Sequence, residues 1–190
     1  MTVTSAAEAQ HAVANGADFL VVQGPEAGGH RSVHDPLAEP ETLALTELLD
    51  RVNAVVDIPF VAAGGIVTPE DVHNVLAYGA SAASVGTALL LSDEAGSTPL
   101  HRHMLQHDRS GVTQLTRVYS GRVSRSLVNE FMSLEAPAAY PEVNALTVPI
   151  KRAASAAEDP RSTHLFAGTG YLQARTGPAA EIIEWLAGHR

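Results

Sequence analysis

Three strings in this chain set glycines beside groups that could bind an anion or move a proton: Gln23-Gly24-Pro25-Glu26-Ala27-Gly28-Gly29-His30, Gly64-Gly65-Ile66 and Gly86-Thr87. The first stops the apolar run Phe19-Leu20-Val21-Val22, which reads as a strand buried on both faces, and its glycines let a backbone approach a ligand. His30 follows two glycines at that strand end, and an imidazole with an ordinary pKa of about 6.5 suits a general base near neutral pH. Glu26 reads as a turn cap rather than a ligand contact. Gly64-Gly65 and Gly86-Thr87 close two further apolar runs, and backbone N–H groups freed at such turns before a helix form an anion site.

Other candidates carry less chemistry. Asp35-Pro36 denies His34 a helical metal-binding partner, and His101 with His103 reads as a solvated face. Ser120-Gly121-Arg122 and Arg125 have no evident strand before them, so pairing with the surplus carboxylates is the expected role of the arginines. The chain has no cysteine, which excludes disulfides, thiolate nucleophiles and Cys-ligated metal centres.

The elements that must position these residues can be read from periodicity. Ser5-Ala6-Ala7-Glu8 has the form of a capping box, and the Ala-rich segment that follows runs to Asn15 and stops at Gly16. Leu43, Leu45, Leu48, Leu49 and Val52 recur at helical spacing. Thr68 caps a third helix with Pro69 at its first position, stopped by Gly79. Strands are expected near residues 2–4, 19–22, 60–63 and 82–85. Asn15-Gly16-Ala17-Asp18 before one strand is echoed by Tyr78-Gly79-Ala80-Ser81 before another, a weak internal repeat. Helices alternating with short apolar strands predict an α/β fold with a parallel sheet, and in a (β/α)8 barrel the glycine turns after the last two strands are the usual phosphate cradle.

At 190 residues, 45% hydrophobic and 17% charged, the chain can bury a real core. Its formal charge of -9 and lack of a basic run argue against nucleic acid as a partner. No apolar stretch approaches the roughly 20 residues that span a bilayer, so no membrane is expected and the cytoplasm is the expected location. Residues 1–96 read as the barrel portion, 97–160 as a mostly helical appendage, and 161–190 as a return loop plus a closing helix from Pro178 to Leu186.

Taken in order, the Gln23–His30 string, Ala62-Ala63-Gly64-Gly65-Ile66, Val85-Gly86-Thr87, Ser120-Gly121-Arg122 with Arg125 and Asn129-Glu130-Phe131, and Ala167-Gly168-Thr169-Gly170-Tyr171 resemble the nitronate monooxygenases, formerly 2-nitropropane dioxygenases. The resemblance covers essentially the whole chain. It implies a TIM (β/α)8 barrel that binds FMN non-covalently and oxidises alkyl nitronates with O2, releasing nitrite and a carbonyl compound. By motif, His30 corresponds to the catalytic base and Gln23 and Gly28 to flavin contacts. Gly64, Gly65, Gly86 and Thr87 correspond to the phosphate cradle, with Ser84 and Val85 contributing beside them. Ser84 stands where the family often has Gln, and Ser32 where a further glycine is common.

A barrel normally takes about 250 residues, and Val3 reads as the tail of a strand. The expectation is therefore the second half of a barrel, an N-terminally truncated form with two unpaired sheet edges. The alternatives are an FMN-dependent reductase of the related enoyl-acyl-carrier-protein type, or a noncatalytic half barrel that pairs into a homodimer.

Overall fold

The computed structural model describes residues 1–188, and the last two positions of the expected closing segment lie outside the described residues. The chain opens with a strand, β1 (Thr2–Val3), and a helix, α1 (Ala6–Ala14). Ser5 caps this helix by accepting from the Glu8 N–H at 3.1 Å. The box is not reciprocal, because the Glu8 carboxylate accepts from the N–H groups of Thr4 and His34 instead. There it ties the helix start to the loop beyond His30.

Next come β2 (Leu20–Gln23), β3 (Gly29–His30), α2 (Leu45–Asn53), β4 (Phe60–Ala63), α3 (Pro69–Ala77) and β5 (Ala82–Ser84). Strands β1, β2, β4 and β5 form one parallel sheet in that order, with Val22 opposite Ala62 and Ala63 opposite Ser84. All four expected strands are present. The internal repeat is a repeated helix stop: Ala17 N–H bonds Ala12 O and Gly16 N–H bonds Val13 O, while Ala80 bonds Val75 and Gly79 bonds Leu76 in the same pattern. A shared stop delivers the chain into β2 and β5 in the same way. At Thr68 the capping box is complete, with the Asp71 side chain bonding back to the cap.

The expectation that β2 is buried on both faces is corrected. Leu20 and Val22 are fully buried against α1 and α2 with Val3, Phe60 and Ala62, but Val21 and Gln23 on the other face are only half-buried, and Phe19 is 53% exposed. Helices cover one face of the sheet, so alternation decides which side chains are sealed.

Beyond β5 a short 3-10 turn (Thr87–Leu89) leads to α4 (Pro99–His107). The stretch expected to be mostly helical then supplies an antiparallel hairpin, β6 (Thr113–Thr116) and β7 (Ser124–Leu127), before α5 (Glu142–Ala156). β7 pairs with β3, placing His30 opposite Ser124, so this segment completes a second, three-stranded sheet around the His30 loop. The final helix, α6 (Ala179–Leu186), buries Ile182 and Leu186 against Val67 and Ala88, while Ile183 stays exposed. Among the described residues no helix is long and apolar enough to cross a membrane, and no group of three His, Asp or Glu is placed to hold a metal ion.

Candidate active site

The C-terminal ends of β2, β4 and β5 surround a cavity of about 330 Å³. Gln23, Gly28, Gly64, Gly65, Ser84, Val85, Gly86 and Thr87, all eight residues that motif matching assigns to a cofactor, line it. No Asp or Glu lies among its lining residues, so nothing in the wall repels an anion.

The glycines do different work. Gly64 has φ +114 and Gly65 φ +72, a region that L side chains rarely adopt, and a Cβ at Gly64 would stand 3.1 Å from the Ala27 N. A Cβ at Gly28 would fall 2.5 Å from the Gly168 N. These positions are glycine because strands of backbone cross there. Gly86 differs: a Cβ on it would meet nothing within 4 Å, so this position opens on the cavity. The Thr87 hydroxyl stands beside it in the cavity wall. That hydroxyl accepts from the Gly168 N–H at 2.8 Å, which fastens the return loop of residues 165–170 over the cavity.

Glu26 has the structural role expected of it. Its Oε1 accepts from Leu45 N–H at 3.1 Å at the start of α2, and its backbone oxygen accepts from Thr169 N–H. Gln23 lines the cavity, yet its side-chain amide is engaged with the loop: Nε2 donates to His30 O at 3.1 Å and Oε1 accepts from Ser32 N–H at 2.9 Å. Arg31, fully buried, donates to the Gln23 and Gly24 carbonyls. The strand end and the His30 loop are thus one hydrogen-bonded unit.

His30 does not line the glycine cavity. It faces a neighbouring one of about 390 Å³, shared with Ser120, Asn144, Lys151 and His164, and Phe166 lines both cavities. The ring lies half-buried between Phe166 and Tyr140, at centroid distances of 5.6 Å and 5.9 Å. Its Nε2 is 2.7 Å from Ser120 Oγ. Burial, with the cations Arg122 and Lys151 nearby, holds the imidazole below its ordinary pKa. The neutral, proton-accepting form is therefore the resting form at neutral pH.

The arginines of the hairpin take a role the sequence did not show. Pairing with carboxylates was expected; instead Arg122 donates to the backbone oxygens of Arg31 at 3.0 Å and Val33 at 2.7 Å, and Arg125 donates to Pro25 O at 2.7 Å. Both clasp the loop that carries His30. The reason is the hairpin, missed in the sequence, whose strand β7 pairs with β3 while β6 pairs on its other side. Thr113, Thr116 and Val118 before the turn residues Ser120-Gly121 are the one trace of that hairpin in the sequence. Ser120 and Phe166 are the site residues that sequence reasoning passed over, along with Lys151, whose partners lie too far along the chain to leave a local pattern.

His101 is a further correction. Only His103 sits on a solvated face, stacked on His107 at 4.1 Å; His101 turns inward toward His164 and Phe166, and burial pushes its pKa down to about 4. His34 lies 3.0 Å through Nε2 from Thr2 O.

The model of the nitronate monooxygenase family matches residues 1–188. The chain belongs to this family. Nitronate monooxygenases of Pseudomonas aeruginosa and Paraburkholderia phytofirmans are each 36% identical to it, over 96% and 97% of this chain but only 54% and 52% of their own lengths. A solved nitroalkane oxidase from Streptomyces ansochromogenes is 42% identical, with a TM-score of 0.93 over 99% of this chain and 56% of its own. FabK from Thermotoga maritima, 24% identical with a TM-score of 0.78, shares the fold. The α/β fold is that of these TIM-barrel enzymes, and the chain spans about half the length of the relatives it matches.

Proposed function

We propose that this member of the nitronate monooxygenase family binds FMN in the glycine cavity and oxidises small alkyl nitronates with O2, giving nitrite and a carbonyl compound. One observation carries the reading: the turns after three adjacent parallel strands converge on one acid-free cavity, and a proton acceptor waits in the next. The strand-end location is where parallel α/β proteins bind ligands. Gly64, Gly65, Gly86 and Thr87 would receive the phosphate through backbone N–H groups and a hydroxyl. Bound FMN would supply the redox chemistry at this site.

The protein's own residues do the rest. His30, held neutral by burial, takes the α-proton of a neutral nitroalkane and so generates the nitronate; a substrate supplied as the nitronate bypasses that step. Ser120 fixes the ring through Nε2, and the Gln23 amide fixes the backbone at His30 O and Ser32 N–H. Phe166, in the wall between the two cavities, helps keep water from the reacting groups.

The test is to load the purified chain with FMN and supply ethyl nitronate or NADH in air. Nitrite release that depends on nitronate supports the reading. Bound flavin with NADH oxidation and no nitrite would assign the chain to reductase chemistry, and failure to bind FMN would remove the reading altogether.

A further inference from the structure

The His30 cavity has a charge character opposite to that of the molecule. The chain carries twenty-one acidic residues against twelve Lys and Arg, yet this cavity is lined by Lys151, Arg152, His30 and His164 with no carboxylate among them. Lys151 is the least exposed of these cations, at 8%. Its ammonium donates to Tyr119 O at 2.8 Å and Asn144 Oδ1 at 2.9 Å, both neutral acceptors, and none of the ion pairs among the described residues includes it.

A buried ammonium without a counterion is costly, and proteins normally pair such a charge. Fastening α5 to the hairpin does not explain it. Thr147 Oγ1 already bonds the same Tyr119 carbonyl at 2.6 Å, and a neutral donor could do so without desolvating a charge. Lys151 lines a cavity that also holds His30 and Asn144.

We propose that Lys151 is the anion-binding residue of this cavity: its ammonium holds the planar oxyanion of a small substrate against His30. The site follows from the cavity itself. Only the identity of the anion, a nitronate group, rests on the function proposed above. On this account Lys151 serves a substrate supplied as the anion, and it also stabilises the anion that forms when His30 removes a proton.

Nitrate, planar and trigonal like a nitronate group, is the probe, and it needs neither flavin nor turnover. Titrated into the chain and followed by 15N NMR, nitrate should saturably shift the Lys151 ammonium, the Asn144 side-chain amide and the His30 ring. It should also raise the His30 pKa, since a bound negative charge favours the imidazolium. Lys151→Met should bind nitrate on the order of 30-fold more weakly or worse, the cost of losing one side of a buried charged contact. Lys151→Arg, which keeps the charge, should retain measurable binding.

Equal binding by Lys151→Met would overturn the proposal. So would a wild-type titration that leaves these three groups unmoved or shifts only the glycine cavity, and that measurement decides the matter even if the variant does not fold. Nitrate binding here without FMN binding would support this site while sinking the flavin reading; FMN binding without nitrate at Lys151 would do the reverse.

Discussion

The glycine cavity and the His30 loop adjoin, but they are built on different principles. Around the glycine cavity, the walls after β4 and β5 are each a strand and a turn that are consecutive in the chain, and Phe166, Gly168 and Gly170 of the return loop close over them. The His30 loop has almost no regular structure of its own. It is held by Ser120, Arg122 and Arg125, between 90 and 100 residues along the chain from the groups they bond. The cradle is thus formed chiefly by strand-end turns of the parallel sheet, whereas the base is placed by a separate hairpin.

That contrast can be broken by variants that act on one side only. The largest expected effect is from His30→Gln, which should lower turnover of a neutral nitroalkane by about 10²- to 10⁴-fold, the usual worth of a general base. Turnover of a preformed nitronate should change far less. A rate assay with both forms of one substrate checks this, and equal losses would show that His30 is not acting as the base.

Next in size is a pair of glycine variants. Gly64→Ala forces a side chain into the left-handed region and against the Ala27 N, and should cost about 1–2 kcal/mol of stability in thermal or denaturant unfolding. Gly86→Ala meets open space and should unfold as the wild type does, while weakening FMN binding because its methyl group enters the cradle. If both variants lose stability alike, the distinction between crossing glycines and a cavity glycine fails.

On the other side of the comparison, Arg122→Met removes two bonds to loop carbonyls and should cost about 1–3 kcal/mol. FMN affinity should hold while nitroalkane turnover falls. A matched loss of both, measured on the folded fraction, would mean that loop and cradle are not separable.

The smallest effect is on the pH dependence of stability. His30 and His101 have pKa values lowered chiefly by burial, His101 to about 4. The unfolded chain therefore binds more protons below pH 6.5, so stability is full above that pH and declines as pH falls toward 4. Each histidine adds less than about 1.4 kcal/mol per pH unit to the slope. Unfolding midpoints measured across this window should show His101→Gln flattening the decline; an unchanged slope would contradict the inward placement of His101.

The same division explains what the sequence reveals. Gln23, Gly28, Ser84 and Val85 are implied by the family resemblance, whereas the four parallel strands, the glycine stops of α1 and α3, the Thr68 box and the Gly64-Gly65 and Gly86-Thr87 turns are legible because each rests on spacing within a few residues. The hairpin is not, since Thr113–Thr116 and Ser124–Leu127 alternate weakly and bury serines where a strand signal expects apolar side chains. Without the hairpin, Arg122 and Arg125 look like surface charges and Ser120 like a turn residue. His101 misleads for a related reason: it shares its helix with His103, His107, Arg102 and Gln106, and only the fold of residues 163–166 over it reveals its inward position. Family resemblance named His30 but not its partner, and the structure places that imidazole beside the cradle rather than within it.

The central claim is that the turns after β4 and β5 hold the phosphate of FMN. Comparing FMN with riboflavin, which lacks that phosphate, by quenching of flavin fluorescence on the purified chain tests it most directly. The account predicts that FMN binds about 10-fold tighter or more, as charge-assisted hydrogen bonds of about 1.5–3 kcal/mol require, and that Gly86→Val abolishes the difference. Equal affinity for the two flavins, or a preference that survives Gly86→Val, would contradict it.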